Sequence, residues 1–142
     1  MSFGWSAGDI VATLNLLHKV VVALKDTGGA SSDYQEVSCF LNVLTVTLQH
    51  LKALQAAPLD PDLAKNLEKL CEQVQGPLEP FCERIRTSFE RDLGADSVKP
   101  NIWAAGRKLQ WALSTSKKVK ELREKIGGPI AAIGVVLSQQ VV

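Results

Sequence analysis

The residues of this chain that could do chemistry are few and widely separated. Three cysteines, Cys39, Cys71 and Cys82, and two histidines, His18 and His50, are the strongest candidate ligands for a metal ion. Zinc sites draw on closely spaced pairs of cysteine or histidine, and the sequence contains no C-x-x-C and no such histidine pair. We therefore expect no metal site and no bound cofactor.

Acidic side chains form no catalytic pattern either. In the middle of the chain Asp62, Glu68, Glu72 and Glu79 lie at spacings typical of the solvated face of a helix. No Glu-x-x-His pair indicates a di-metal bundle, and the glycines near the N-terminus lack the lysine and the preceding strand of a phosphate-binding loop. We predict that the protein is not an enzyme. An enzyme fragment, the weakest alternative, would need a convergent polar pocket.

The apolar segment Ile10–Leu24 is the most informative stretch, and Lys19 is its only fully charged side chain. Its apolar residues lie both on and off one helical stripe, so the predicted helix lacks the polar back of an ordinary surface helix. Two interpretations follow: a central helix surrounded by its bundle, or a helix held in the bundle and released into lipid. The candidate membrane-active residues are Ile10, Leu14, Leu17, Val20, Val21 and Leu24.

That segment is predicted to be neither a signal peptide nor a membrane span. It has no basic residues ahead of it, and Asp9 precedes it. At about 15 residues it is shorter than the roughly 20 that cross a bilayer. The odd number of cysteines, without close pairs, favours a reducing compartment and therefore a cytoplasmic protein. All three fall in predicted helices, where we expect their free thiols to lie on packed faces.

Charge is distributed unevenly over the 142 residues, whose net charge is +1. Residues 60–96 carry −4 and residues 97–142 carry +6. The basic end includes Lys117, Lys118, Lys120 and Arg123, for which two interpretations stay open. They form either a solvated face that pairs with the acidic third helix or a patch for anionic membrane lipid. No recognised motif accompanies them, so we expect no nucleic-acid partner.

Periodicity and capping signals predict an all-α, up-down bundle of four to five helices in a single domain, 1–142. Gly76-Pro77 and Pro80 predict a kinked third helix, or two abutting helices, near its middle. Gly127-Gly128-Pro129 is expected to end the fourth helix. The predicted helices are Ser6–Lys25, Ser32–Ala56, a third from Asp60 to the Gly94 region, a fourth from Asn101, and a short last one over Pro129–Gln139.

Two motifs at opposite ends of the chain carry a family resemblance. The opening M-S-F-G-W-S-A-G-D-I-V-A resembles the start of a large set of fungal N-terminal domains. The segment K-L-Q-W-A-L-S-T-S-K-K-V-K-E-L, from Lys108 to Leu122, is similar to the second hallmark of that set. These domains head proteins built like nucleotide-binding oligomerising immune receptors, or proteins with ankyrin repeats or a ubiquitin-like domain, and the group is similar to the HeLo and HeLo-like helical bundles.

The resemblance implies a non-enzymatic signalling or cell-death effector. Its N-terminal helix would target the plasma membrane once the chain oligomerises, and Lys117, Lys118, Lys120 and Arg123 would assist at anionic head groups. It also implies that the 142 residues are the N-terminal module of a longer protein, with a downstream domain, such as a ubiquitin-like one, as partner. The alternative is a protein–protein interaction adaptor that never touches lipid.

Overall fold

Four helices make up the part of the chain that the computed structural model describes, which is residues 5–28, 32–93 and 101–139, and this part contains no strand. The side chains of residues 27, 28, 32, 33, 92, 93 and 101–105 lie outside the description. The helices are α1, Ala7–Gly28; α2, Ser32–Leu54; α3, Pro61–Leu93; and α4, Asn101–Ser138. The predicted all-α bundle is confirmed.

Helices α1 and α3 begin where their capping residues predict. The Ser6 hydroxyl accepts a hydrogen bond from the backbone N–H of Asp9 at 3.1 Å, as an N-cap should. At the start of α3 the carboxylate of Asp60 accepts from the N–H of Leu63 at 3.3 Å, and Pro61 occupies the first helical position. The sequence therefore predicted both starts from local side-chain chemistry.

The helices run alternately up and down. A hydrogen bond from the Gln55 amide to the Trp5 carbonyl joins the end of α2 to the start of α1, so these helices are antiparallel. Along α1, Asp9 lies beside Leu78 and Lys19 lies beside Glu90, so α1 and the second half of α3 run in the same direction. Phe89 of α3 meets Trp111 of α4, and the earlier Arg84 of α3 shares a hollow with the later Lys118 of α4, so α3 and α4 are antiparallel. It follows that α2 and α4 run in the same direction. Helix α4 packs against each of the other three helices.

The core consists of apolar side chains from all four helices, and its largest fully buried member is Trp111 of α4. The Trp111 ring meets Phe89 of α3 edge to face, with the ring centroids 5.7 Å apart. Two polar atoms of α4, Trp111 Nε1 and Thr115 Oγ1, are buried without a hydrogen-bond partner in the described structure. In α3, by contrast, buried Ser88 donates to the Ile85 carbonyl at 3.1 Å.

Helix α4 corrects one sequence-based prediction. Gly127, Gly128 and Pro129 do not end it: α4 continues to Ser138, and the separate helix predicted over Pro129–Gln139 is part of it. Ile126, Ile130 and Ile133 are all buried, so the same core face continues across the break. Tertiary packing here overrides the weak helix propensity of glycine and proline.

Helix α3 also passes its internal prolines without interruption, so two abutting helices are not found. Leu78, Phe81 and Ile85 are buried on either side of Pro80, which keeps one face of α3 on the core throughout. A kink at Pro77 and Pro80 stays a prediction. At its end, α2 stops at Leu54 rather than Ala56, and backbone bonds from Gln55 N–H to the Lys52 carbonyl and onward form tighter turns before Pro58.

Candidate functional site

Helix α1 uses one face for the core. Of the six predicted membrane-active residues, four are buried, and Leu14 and Val21 are partly buried and pack against the core. Leu16, which lies off the predicted stripe, is buried as well. The four buried members are Ile10, Leu17, Val20 and Leu24. In this structure the whole predicted segment therefore contributes to bundle packing, and it would have to leave the core to meet lipid.

The side of α1 away from the core mixes apolar and polar residues. Val22 is 45% exposed and Val11 is only partly buried, whereas Asn15, His18 and Lys19 are exposed. The window Ala7–Asp26 has a mean hydropathy of 1.5, and 28% of it is buried. By length and composition it could cross a membrane, as could Tyr34–Leu54 of α2. The core helix of a soluble protein passes the same test, but the helix is longer than the 15 residues that the sequence pattern indicated.

The contact between α1 and α3 centres on Cys82. The Thr13 side chain of α1 lies against its sulfur and donates its own hydroxyl proton to the Asp9 carbonyl at 3.0 Å. Glu79, Glu83 and Arg86 of α3 border the same hollow. Arg86 forms an ion pair with Glu83 at 2.9 Å. Burial raises the pKa of the Cys82 thiol to about 11, and the nearby arginine only partly opposes that shift. The sulfur is therefore a protonated packing group at neutral pH, at the seam where α1 meets the bundle.

The other two cysteines differ from each other. Burial likewise raises the pKa of Cys71 in α3 to about 11. Cys39 of α2 is exposed, so the expectation that all three thiols lie on packed faces is wrong for this residue. Among the described residues no group of three histidine, cysteine or acidic side chains could hold a metal ion.

The four basic residues of the predicted lipid patch lie within two turns of α4 but point to different sides. Lys118 lies in a hollow with Glu83, Arg84 and Arg91 of α3, whereas Arg123 lines a groove on the α2 side. Lys117 is exposed and Lys120 is partly buried. Lys117, Lys118 and Arg123 form no ion pair with a described residue. Pairing of these three with the acids of α3 is therefore not seen in the described structure.

A concave surface with a volume of about 600 Å³ lies between α2 and α4. We call it the α2–α4 groove. Its walls are almost entirely apolar, with Glu36 of α2 and Arg123 of α4 as the charged members. The remaining lining residues are Gln35, Cys39, Phe40, Val43, Thr47, Gly127, Ile130, Ala131 and Gly134.

Sequence reasoning missed this groove because it treated the end of α4 as a separate helix. Once α4 is continuous, Gly127, Ala131 and Gly134 recur on one face at helical spacing. In the sequence, Val43 and Val46 widen the apolar stripe of α2, and both are exposed beside this face. The two signals were in the sequence, but only the packing of α4 beside α2 brings them together.

Comparisons with known proteins found no match to this chain, whether among family models, curated proteins or solved structures. The likeness to HeLo-like domains is carried by the two sequence motifs alone.

Proposed function

We propose that the protein is a non-enzymatic signalling effector whose N-terminal helix α1 targets membranes, in the manner of HeLo-like domains. The observation that carries the proposal is the hydropathy of α1. The window Ala7–Asp26 has a mean hydropathy of 1.5 and is long enough to cross a bilayer, and only 28% of it is buried in the bundle. Four of the 22 residues of α1 are charged, and Val22 is 45% exposed.

In this proposal α1 is packed in the bundle while the protein is in water, and it leaves the bundle to insert into lipid. The resting chain is cytoplasmic, with free Cys71 and Cys82 in its core. Self-association would recruit it to the plasma membrane and promote cell death, and a downstream domain of the same protein would supply the trigger. A kink in α3 at Pro77 and Pro80 would lie beside α1, since Leu78 and Asp9 border the same hollow.

Locking α1 to the bundle tests the release directly. Thr13 and Cys82 touch, so the substitution Thr13→Cys places two thiols at the α1–α3 contact. We expect oxidation to form an intramolecular disulfide, verified as the loss of two titratable thiols. The oxidised protein should bind anionic vesicles without releasing their dye, and reduction should restore leakage.

The matched controls are the parent chain under the same oxidant and the Thr13→Cys variant kept reduced. All proteins carry Cys39→Ser, because the exposed thiol would otherwise cross-link molecules. Leakage by the oxidised, disulfide-locked variant at the parent's level would refute release of α1. No leakage by any of the proteins, with anionic or neutral lipid, would favour the adaptor instead.

The lipid patch needs its own experiment. Reversing Lys117, Lys118 and Lys120 to glutamate should weaken binding to anionic vesicles and leave the weak binding to neutral ones unchanged. Each basic residue near an anionic surface contributes about 1 kcal/mol, so the triple reversal should reduce the partition coefficient by more than about 100-fold. The control reverses three exposed lysines on other helices, Lys52, Lys65 and Lys69; equal losses in both proteins would refute a specific patch.

A protein–protein adaptor is the second candidate function, and the α2–α4 groove favours it. Open apolar grooves between two helices are typical sites for a partner helix. In that case vesicles stay intact, and substitutions in the groove, rather than in α1, abolish function.

A further inference from the structure

The α2–α4 face leaves large apolar side chains uncovered. Val43 and Val46 of α2 are 47% and 49% exposed, and Val135 of α4 is 59% exposed. Val43 lines the α2–α4 groove, and the other two lie within one turn of lining residues. Apolar side chains gathered on one face, beside a groove of about 600 Å³, mark an interaction surface.

The two walls of the groove have complementary shapes. The α4 wall is lowered by Gly127, Ala131 and Gly134. A Cβ atom built on Gly134 would meet no atom within 4 Å, and one on Gly127 would meet only Arg123 Cγ, at 4.0 Å. The chain's own packing therefore does not require these glycines. Small residues of this kind let a second helix approach closely, and the valines of α2 form a ridge of the matching kind.

The charges of the groove are complementary as well. Glu36 lies at the N-terminal end of the α2 wall of the groove, and Arg123 lies at the N-terminal end of the α4 wall. The two helices run in the same direction. The two charges therefore lie toward the same end of the groove. Neither forms an ion pair with a described residue. The same face thus carries a ridge of valines and a hollow lined by glycines, and it carries one acidic and one basic side chain.

We propose that this face binds a second copy of the chain in a two-fold symmetric dimer, with the symmetry axis running along the groove. Rotation about that axis places α2 of each copy against α4 of the other at the same height. Val43 and Val46 then pack over Gly127, Ala131 and Gly134 of the second copy, and Glu36 meets its Arg123. Each contact occurs twice, as an isologous interface requires.

A second copy fits this face better than an unrelated helix does. A single partner helix lying in the groove would contact the protruding valines of α2 and the recessed glycines of α4 at once. Its surface could be complementary to one wall but not to both. It would also face two charges of opposite sign. A second copy of the chain, rotated about the groove axis, places its α4 glycines against the α2 valines and its α2 valines against the α4 glycines.

The dimer proposal rests on the proposed function at one point, which is that an effector of this kind must self-associate. The test of dimerisation needs no membrane. We expect sedimentation equilibrium of the full chain to show a monomer–dimer equilibrium. Gly134→Leu should fill the hollow and shift the protein to monomer, with a thermal midpoint no lower than that of the parent, because leucine favours helix more than glycine. Gly106→Leu is the matched control: Gly106 also lies in α4 with no atom near its Cβ position, but outside the groove.

Charge exchange tests the register of the two copies. Glu36→Arg and Arg123→Glu should each weaken dimerisation by about ten-fold or more through like-charge repulsion. The double variant restores the pairs across the interface and should recover most of the parent affinity. Recovery would support the parallel arrangement, since an antiparallel pairing of the grooves separates the charged ends.

The native thiols provide a further readout. Cys39 is the exposed cysteine and lines the groove, whereas Cys71 and Cys82 are buried. Bismaleimidohexane should therefore link two copies through Cys39, and Cys39→Ser should abolish the product. A chain that stays monomeric at all concentrations, or Gly134→Leu that dimerises as well as the parent, would overturn the proposal. If the protein does not dimerise but still releases dye from vesicles, the dimer proposal fails and the membrane function stands. If it dimerises but releases no dye, the membrane function fails and the dimer proposal stands.

Discussion

Helices α1 and α3 both bury an apolar face in the same core, but their outer sides differ in charge. In α3 the side away from the core carries charged residues such as Glu72 and Glu79. In α1 that side mixes exposed Val22 with the polar residues Asn15 and Lys19. Four of the 22 residues of α1 are charged, against twelve of the 33 residues of α3. The two helices thus share a buried apolar face, and the lower charge of α1 is what the proposed function uses.

The core faces themselves should be equivalent, and this gives the largest expected effect. Leu17 of α1 and Leu78 of α3 are both fully buried. Replacing either by alanine should lower the free energy of unfolding by about 2–5 kcal/mol, through lost transfer energy and the cavity left behind. Urea denaturation measures both. A cost below about 1 kcal/mol for Leu17→Ala would mean that α1 is a peripheral helix and would break the comparison.

A second difference is that α3, but not α1, buries ionisable thiols. Burial raises the pKa of Cys71 and Cys82 to about 11, from an ordinary value of 9.0. The folded state therefore holds these protons more tightly than the unfolded state does. The resulting stability is complete below pH 9 and is lost as the pH rises through about 11.

Stability measured between pH 8 and pH 11.5 should accordingly fall more steeply for the parent than for the Cys71→Ala, Cys82→Ala variant. For each protein, the free energy of unfolding is expressed relative to its own value at pH 8. The stability that the substitutions themselves remove therefore cancels from the comparison. Identical pH profiles would show that the two thiols do not titrate with unfolding.

The bundle core contains one buried hydroxyl with a hydrogen-bond partner, on Ser88 of α3, and one without, on Thr115 of α4. Removing them should change stability in opposite directions. Thr115→Val removes a buried hydroxyl that has no partner and keeps the side-chain shape, so we expect about 1 kcal/mol of stabilisation. Ser88→Ala removes a hydrogen bond and should cost about 1 kcal/mol. Thermal unfolding of both variants decides the matter; destabilisation by Thr115→Val would reveal a hydrogen bond to its hydroxyl.

The outer sides give the smallest effect on stability. Val22→Glu in α1 and Thr87→Glu in α3 both change exposed positions and should shift stability by less than about 0.5 kcal/mol. Their effects on vesicle leakage should differ, however: the first should reduce it and the second should not. Equal leakage by the two variants would remove the functional meaning of the difference between α1 and α3.

Local chemistry made much of the fold predictable. Ser6, Asp60 and Pro61 marked helix starts that the structure reproduces, and the apolar spacing identified most of the core. The end of α4 was mispredicted, because Gly127, Gly128 and Pro129 are helix breakers by propensity and only the buried isoleucines around them hold the helix together. The α2–α4 groove depends on that continuation, so no local pattern could have revealed it. Cys39 was misplaced for a related reason: its exposure depends on which face of α2 meets α4.

The internal prolines have a consequence for the backbone. Pro77 and Pro80 in α3 and Pro129 in α4 have no N–H group, so the carbonyls of Gln73, Gly76 and Lys125 lose their usual intrahelical donor. Those oxygens lie in exposed turns, where water can hydrate them. Helices α1 and α2 contain no proline and can satisfy their interior amide and carbonyl groups themselves, which is the condition for entering hydrocarbon. In the proposed release, α1 would bring no unsatisfied interior backbone group into lipid, whereas the freed carbonyls of α3 and α4 need water or another hydrogen-bond donor.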